Sequence, residues 1–136
     1  PRKLKKAQKP QRKGAAYVLR NANGDVLLQK RPDKGLLGGM AGVPTTDWTV
    51  RADGGTGIAH APLRGDWRMS GTIRHVFTHF ELELEVWSLR TAADQADGWW
   101  VRVDALAGEA LPSVMKKVIA ASIPEAFSKS GARGRR

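Results

Sequence analysis

The sequence predicts a mixed α/β domain of α+β character, in which a mixed β-sheet packs against helices. Three observations predict it. Two β-rich runs near the start flank a turn-forming segment, Glu81-Leu82-Glu83-Leu84-Glu85-Val86-Trp87 alternates strictly between charged and apolar residues, and an apolar stripe at helical spacing follows Pro112. At 136 residues with 41% hydrophobic content, the chain is long enough for one core and short for two.

Taken in order, residues 1 to 13 hold two prolines and seven Lys/Arg with no acid, and read as a basic flexible linker. The domain proper is expected over 14 to 127, with a second basic, disordered tail over 128 to 136. Gly14 to Arg20 and Val26 to Lys30 are strands. Asn21 to Asp25 between them supplies the turn, which makes a hairpin. Pro32 to Pro44 is a loop in which Gly35, Gly38, Gly39 and Gly42 allow tight turns or close backbone approach.

Residues 45 to 70 show no clear period. Asp53-Gly54-Gly55-Thr56-Gly57 breaks any long helix, and Ile58 to Leu63 is expected as a short helix ended by Pro62. Residues 71 to 89 hold a strand pair, with Leu82, Leu84 and Val86 inward and Glu81, Glu83 and Glu85 in water. Trp99 to Val103 is a further strand, on which the adjacent Trp99 and Trp100 face opposite ways. Asp104 is expected to cap a short helix, Ala105 to Gly108. Pro112 opens the last helix, with Val114, Met115, Val118, Ile119 and Ser122 on its buried side and Lys116 and Lys117 outside.

The formal net charge of +10 is concentrated at the two ends. Without them the body holds 12 basic against 13 acidic residues, so it is not expected to grip many phosphates by itself. The absence of cysteine excludes a disulfide scaffold, a thiolate zinc site and an iron-sulfur cluster within these residues. No apolar run approaches the ~18 residues that cross a bilayer, and no secretory pattern opens the chain, so a soluble protein without a membrane partner is expected. The beginning at Pro1, in linker-like sequence, is read as the start of a piece of something longer.

Few residues carry chemistry. His60, His75 and His79 lack the spacing and acidic partners of a metal site, and the glycine loop lacks the Gly-Lys-Ser/Thr of a phosphate cradle. No nucleophile has a base beside it, so no catalytic residue and no metal ligand is assigned. What stands out is Phe77-Thr78-His79, with Arg74 nearby, at the mouth of the alternating strand. A ring that can wedge into a base stack, beside a hydroxyl that both donates and accepts, suits the reading of a nucleobase.

Four segments resemble the C-terminal domain of the adenine DNA glycosylase MutY: Val26 to Gly42, Gly71 to Leu84, Trp99 to Val101, and Leu111 to Val118. The resemblance covers most of residues 14 to 122, in order. It implies a Nudix-like fold turned to recognition. A Nudix pyrophosphatase needs a glutamate-rich helix of the pattern Arg-Glu-x-x-Glu-Glu for its metals, whereas Met40 to Asp66 holds only Asp47, Asp53 and Asp66 as acids.

The resemblance further implies that this segment is non-catalytic and that the parent enzyme removes adenine mispaired with 8-oxoguanine, in base excision repair in the bacterial cytoplasm. An N-terminal catalytic domain of the same chain would carry the iron-sulfur cluster. Duplex DNA holding 8-oxoguanine opposite adenine would be the partner. The family's lesion-reading loop has the form Phe-Ser-His, and Phe77, Thr78 and His79 match it with threonine for serine. Phe77 would wedge beside the lesion, Thr78 read it and His79 position the loop or a phosphate, with Arg74 as a phosphate contact. Oxidation turns guanine N7 from an acceptor into an N–H donor and adds a carbonyl at position 8. One hydroxyl can therefore accept from the first and donate to the second. The rivals are a free-standing Nudix-type nucleotide hydrolase and a basic-tailed RNA-binding module.

Overall fold

A computed structural model describes residues 9–32, 37–92 and 97–127. Residues 1 to 8 of the expected linker, Gly35 of the glycine loop and the expected tail over 128 to 136 lie outside the described residues. The strands are β1 (Gln11–Arg20), β2 (Val26–Lys30), β3 (Ala41–Gly42), β4 (Arg68–Val76), β5 (Glu81–Arg90) and β6 (Trp99–Val101). A 3-10 helix, Val103–Gly108, and one α-helix, α1 (Ser113–Ser122), complete the domain. The sheet runs β3-β2-β1-β5-β4, and β6 pairs with β2.

The hairpin forms as its turn chemistry dictates. Asn21 Oδ1 accepts from the N–H groups of Asn23 and Asp25 (2.9 and 3.0 Å), and Gly24 takes the left-handed φ of 84°. At the other end β1 starts at Gln11, inside the stretch assigned to the linker. Gln11 to Arg20 pairs in parallel with Glu81 to Arg90, and this ladder draws two basic residues of the expected linker, Arg12 and Lys13, into the sheet.

One face of the sheet is closed by α1. Val114, Met115, Val118 and Ile119 are buried against Leu82, Leu84, Val86, Val18 and Phe80, while Lys116 and Lys117 stay exposed, as the spacing after Pro112 predicts. The other face is not left to water. Ala15, Tyr17, Leu19, Leu27 and Trp67 form a second cluster there, flanked by Ala61, Leu63, Trp87, Leu89 and Trp100.

This second layer corrects the expectation of a solvated glutamate face. All three glutamates are half-buried, and Glu85 Oε1 accepts from the Gly57 N–H (2.7 Å) and from Trp87 Nε1 (3.0 Å). The Tyr17 hydroxyl donates to Gly57 O at 2.7 Å. Burial first, and the Glu85 charge second, raise the Tyr17 pKa above the ordinary phenol value.

Residues 43 to 67 form no helix. The expected helix over Ile58 to Leu63 is a single turn closed by Ala61 N–H to Ile58 O (3.1 Å), because Gly57 and Pro62 leave too little uninterrupted chain. The segment instead runs beside β1. Tyr17 N–H donates to Pro44 O, Thr46 N–H to Ala15 O, and Gly54 N–H to Lys13 O (2.9, 3.0 and 2.7 Å). Asp104 likewise does not cap its helix: its carboxylate takes the Arg102 guanidinium at 2.7 Å, and no side chain caps the start. Trp99 and Trp100 face opposite ways as expected, Trp99 exposed and Trp100 against the second cluster.

Candidate functional site

The hairpin of β4 and β5 ends in the loop Phe77 to Phe80, pinched by Phe77 N–H donating to Phe80 O at 2.8 Å. Within β4, Ile73 packs on the core and Arg74 lies on the opposite, exposed side. Period two then carries His75 and Phe77 toward the core. Phe80 is buried at the loop's far end, so Thr78 and His79 are left exposed at the tip.

An aromatic stack supports that tip. Phe77 lies nearly parallel to Phe80 (centroids 4.7 Å apart, 13° between planes), His75 meets Phe77 edge-on at 4.7 Å, and Trp48 lies 6.4 Å from Phe77. Lys9 Nζ donates to Phe77 O at 3.1 Å. The Phe77 ring is half-buried in this stack. A wedge into DNA would use its outer edge or draw it out of the stack.

Trp48 is itself held from behind by Arg31, whose guanidinium carbon sits 5.1 Å from the indole centre. Arg31 Nη1 donates to Thr45 Oγ1 at 3.3 Å, and burial lowers the Arg31 pKa below the usual guanidinium value. The Arg31 Nε and Trp48 Nε1 donors are buried without a partner. Gly14 on β1 is the reason the indole fits: a Cβ there would stand 2.5 Å from Trp48 Cδ1. Beside Arg31 and Trp48 opens a cleft of about 540 Å³, also lined by Thr45, Thr46, Asp47 and Arg51.

The structure thus brings Phe77, Thr78 and His79 together at one tip and sets Arg74 apart. Arg74 pairs across the strands with Glu83, Nη2 to Oε1 at 3.6 Å, the arginine largely exposed and the glutamate half-buried. Its charge is partly matched there. Trp48 and Arg31, which complete the support, carried no signal in the sequence, while Lys9 was one of the linker cations expected to contact phosphates. Trp48 sits in the stretch without periodicity, and Arg31 looks like any strand-end cation.

The acids do not converge. Asp53 Oδ1 accepts from the Lys13 N–H (3.0 Å), Asp66 pairs with Arg68 (3.2 Å), and Asp47 is exposed beside the cleft. Among the described residues no group of three His, Asp or Glu is placed to hold a metal ion.

A family model described as the NUDIX domain matches residues 15–121. The chain belongs to the NUDIX domain family. No curated protein matches it. Among solved structures, the C-terminal domain of mouse MUTYH, from its complex with human PCNA, is 24% identical. That match covers 85% of this chain and 90% of the mouse one, with a TM-score of 0.63. The MutT protein of Methanosarcina mazei Go1 is 20% identical over 89% of this chain and 99% of its own, with a TM-score of 0.62. The NUDIX domain of Shewanella oneidensis NrtR, solved with ADP ribose, is 15% identical over 88% and 90%, also at 0.62. These likenesses establish the NUDIX fold, a mixed sheet with few helices. For the divalent metals that pyrophosphatases of this fold use, the acids among the described residues do not fit, since Asp47, Asp53 and Asp66 are spread over three places and two are engaged elsewhere.

His75 gives the site a pH dependence. Burial first, and Lys117 second, lower its pKa below the ordinary imidazole value, and Lys117 Nζ itself donates to Arg74 O at 3.1 Å. A depressed folded-state pKa makes protonation oppose folding. The stabilisation is present above the unfolded value of about 6.5 and is lost as pH falls through the folded one. Denaturant midpoints measured from pH 7 down to pH 5 should fall more steeply for the natural chain than for His75→Gln. Parallel curves would remove this role.

Proposed function

We propose that this NUDIX domain reads 8-oxoguanine opposite adenine for an adenine DNA glycosylase whose catalytic domain, with its iron-sulfur cluster, lies N-terminal to it. The observation that carries the reading is the tip itself: an exposed Thr78 hydroxyl and His79 ring on a loop fixed by the Phe77–Phe80 stack and pinch. A reader needs its hydroxyl presented on a rigid support, because ordering a floppy loop on binding would consume the small gain from each hydrogen bond. The likeness to the MUTYH domain supports the reading, as does the dispersal of Asp47, Asp53 and Asp66. DNA carrying the lesion is the partner in this reading, with His79 and Lys9 near its phosphates.

Each hydrogen bond to the oxidised base contributes on the order of 1 kcal/mol, and a buried mismatch costs roughly 1 to 3. Preference from this loop is therefore about ten- to a hundredfold, with affinity raised by tethering to a second DNA-binding domain. The test is a titration of the chain with duplexes bearing 8-oxoguanine or guanine opposite adenine. Thr78→Ala should remove most of the preference and leave the fold intact. Equal shifts at residues 77 to 79 with both duplexes would count decisively against the proposal.

The cleft beside Arg31 and Trp48 favours a second reading, nucleotide hydrolysis, since the M. mazei MutT protein shares the fold. Magnesium-dependent release of phosphate or pyrophosphate from an oxidised nucleoside triphosphate would establish it. The scattered acids weigh against it.

A further inference from the structure

Arginines and serines meet where the far end of the β4–β5 hairpin abuts the end of α1. Ser70 Oγ lies 2.5 Å from Ser88 Oγ, which lies 2.6 Å from Ser122 Oγ. Three hydroxyls carry three protons and two bonds use two of them. One O–H is therefore left over beyond these two bonds, whichever way they run.

A groove of about 440 Å³ passes these hydroxyls, and Arg20, Arg68 and Arg90 line it. The strand register brings them there. Arg20 and Arg90 are direct partners across the parallel pair, and Arg68 is the partner of Ser88. Like charges placed opposite each other weaken a sheet, so this arrangement gains from an anion between them. Asp66 is the acid in the groove. Its pairing with Arg68 joins two side chains more than 80% exposed, where water screens most of the attraction. Arg20 is held in place, its Nε donating to Gly24 O at 3.0 Å.

We propose that this groove binds a phosphate group, with the forked guanidinium donors of Arg20, Arg68 and Arg90 on its oxygens and the spare serine proton completing the set. The phosphate can belong to a free phosphorylated compound or to a nucleic-acid backbone. The groove lies about 30 Å along β5 from the Thr78 tip, so it is a separate site and does not depend on the lesion-reading proposal.

The experiment is an NMR titration of the whole chain with inorganic phosphate, against sodium chloride at matched ionic strength. Amide shifts at Ser70, Ser88, Arg90 and Ser122 should saturate with phosphate and not with chloride. Arg68→Gln/Arg90→Gln, both at exposed positions, should raise the half-saturating concentration about tenfold. A second arm adds a plain duplex. If the duplex displaces phosphate, and the double variant shallows the dependence of log affinity on log salt by about 1.8, the backbone is the source. If phosphate saturates and the duplex does not compete, the ligand is a free phosphate compound. Shifts that follow ionic strength alone, or a phosphate titration unchanged in the double variant, overturn the site. The phosphate titration is read at residues remote from the Thr78 tip, which separates its outcome from the fate of the lesion-reading loop.

Discussion

Trp48→Ala should lower the free energy of unfolding by about 3–5 kcal/mol, the usual range for removing a buried tryptophan. The indole is 4% exposed and fills the space between Gly14, Arg31 and Phe77. Its loss opens a cavity beside a strand that has no side chain of its own to fill it. Arg31 would then be half-buried over nothing, and Phe77 would lose one of its three ring neighbours. Urea unfolding gives the stability, and the two-duplex titration gives the second effect, a weaker lesion preference in a still-folded protein. Trp48→Phe should cost less than its lost volume suggests, because it also removes the buried Nε1–H that has no partner. A loss under 1 kcal/mol for Trp48→Ala would mean that the segment over 43 to 54 carries itself through its backbone bonds to β1 alone.

Gly98→Ala should be nearly as damaging, by about 3 kcal/mol. Gly98 has a φ of 122°, a conformation that costs an L-residue on the order of 1–3 kcal/mol. An added Cβ would also stand 2.1 Å from Leu28 O, a backbone atom that cannot rotate away. The pairing of Leu28 with Trp99 must open to admit it. Gly71→Ala is the informative control: φ is 149°, yet nothing lies within 4 Å of the new methyl, so only the conformational part applies. Thermal unfolding of the two variants side by side separates strain from collision. Equal losses would show that the contact with Leu28 is relieved by a small local shift.

What could be read in the sequence was what repeats. The alternation of Leu82, Leu84 and Val86, the stripe of Val114, Met115, Val118 and Ile119, and the turn at Asn21 to Asp25 each follow from a period or a local hydrogen-bonding habit. Each is present in the structure. Residues 43 to 67 follow neither. Their structure comes from backbone bonds to β1 and from two tryptophans inserted on opposite faces of the sheet, Trp48 and Trp67. Such bonds are blind to side-chain identity, so they leave no pattern. The glutamates misled for a related reason: alternation says that one face differs from the other, and not that the second face is wet. At the tip, the residue types of Phe77, Thr78 and His79 drew attention to the loop, while the stack behind it depended on Trp48 arriving from elsewhere in the chain.

The parallel ladder of β1 and β5 bears on how the domain folds. Gln11 meets Glu81 and Arg20 meets Arg90, so every pair in the ladder joins residues seventy positions apart. The β4–β5 hairpin, by contrast, closes over a few residues at Phe77 to Phe80 and can assemble on the timescale of microseconds. Closing the long loop costs entropy before its contacts return any, which places β1 docking late and makes it the slow step. Until it happens, β5 has a bare edge in its central strand, open to pairing with another chain. The interval before β1 docks is therefore the one in which the domain is most open to aggregation, and residues 11 to 20 end it by covering that edge.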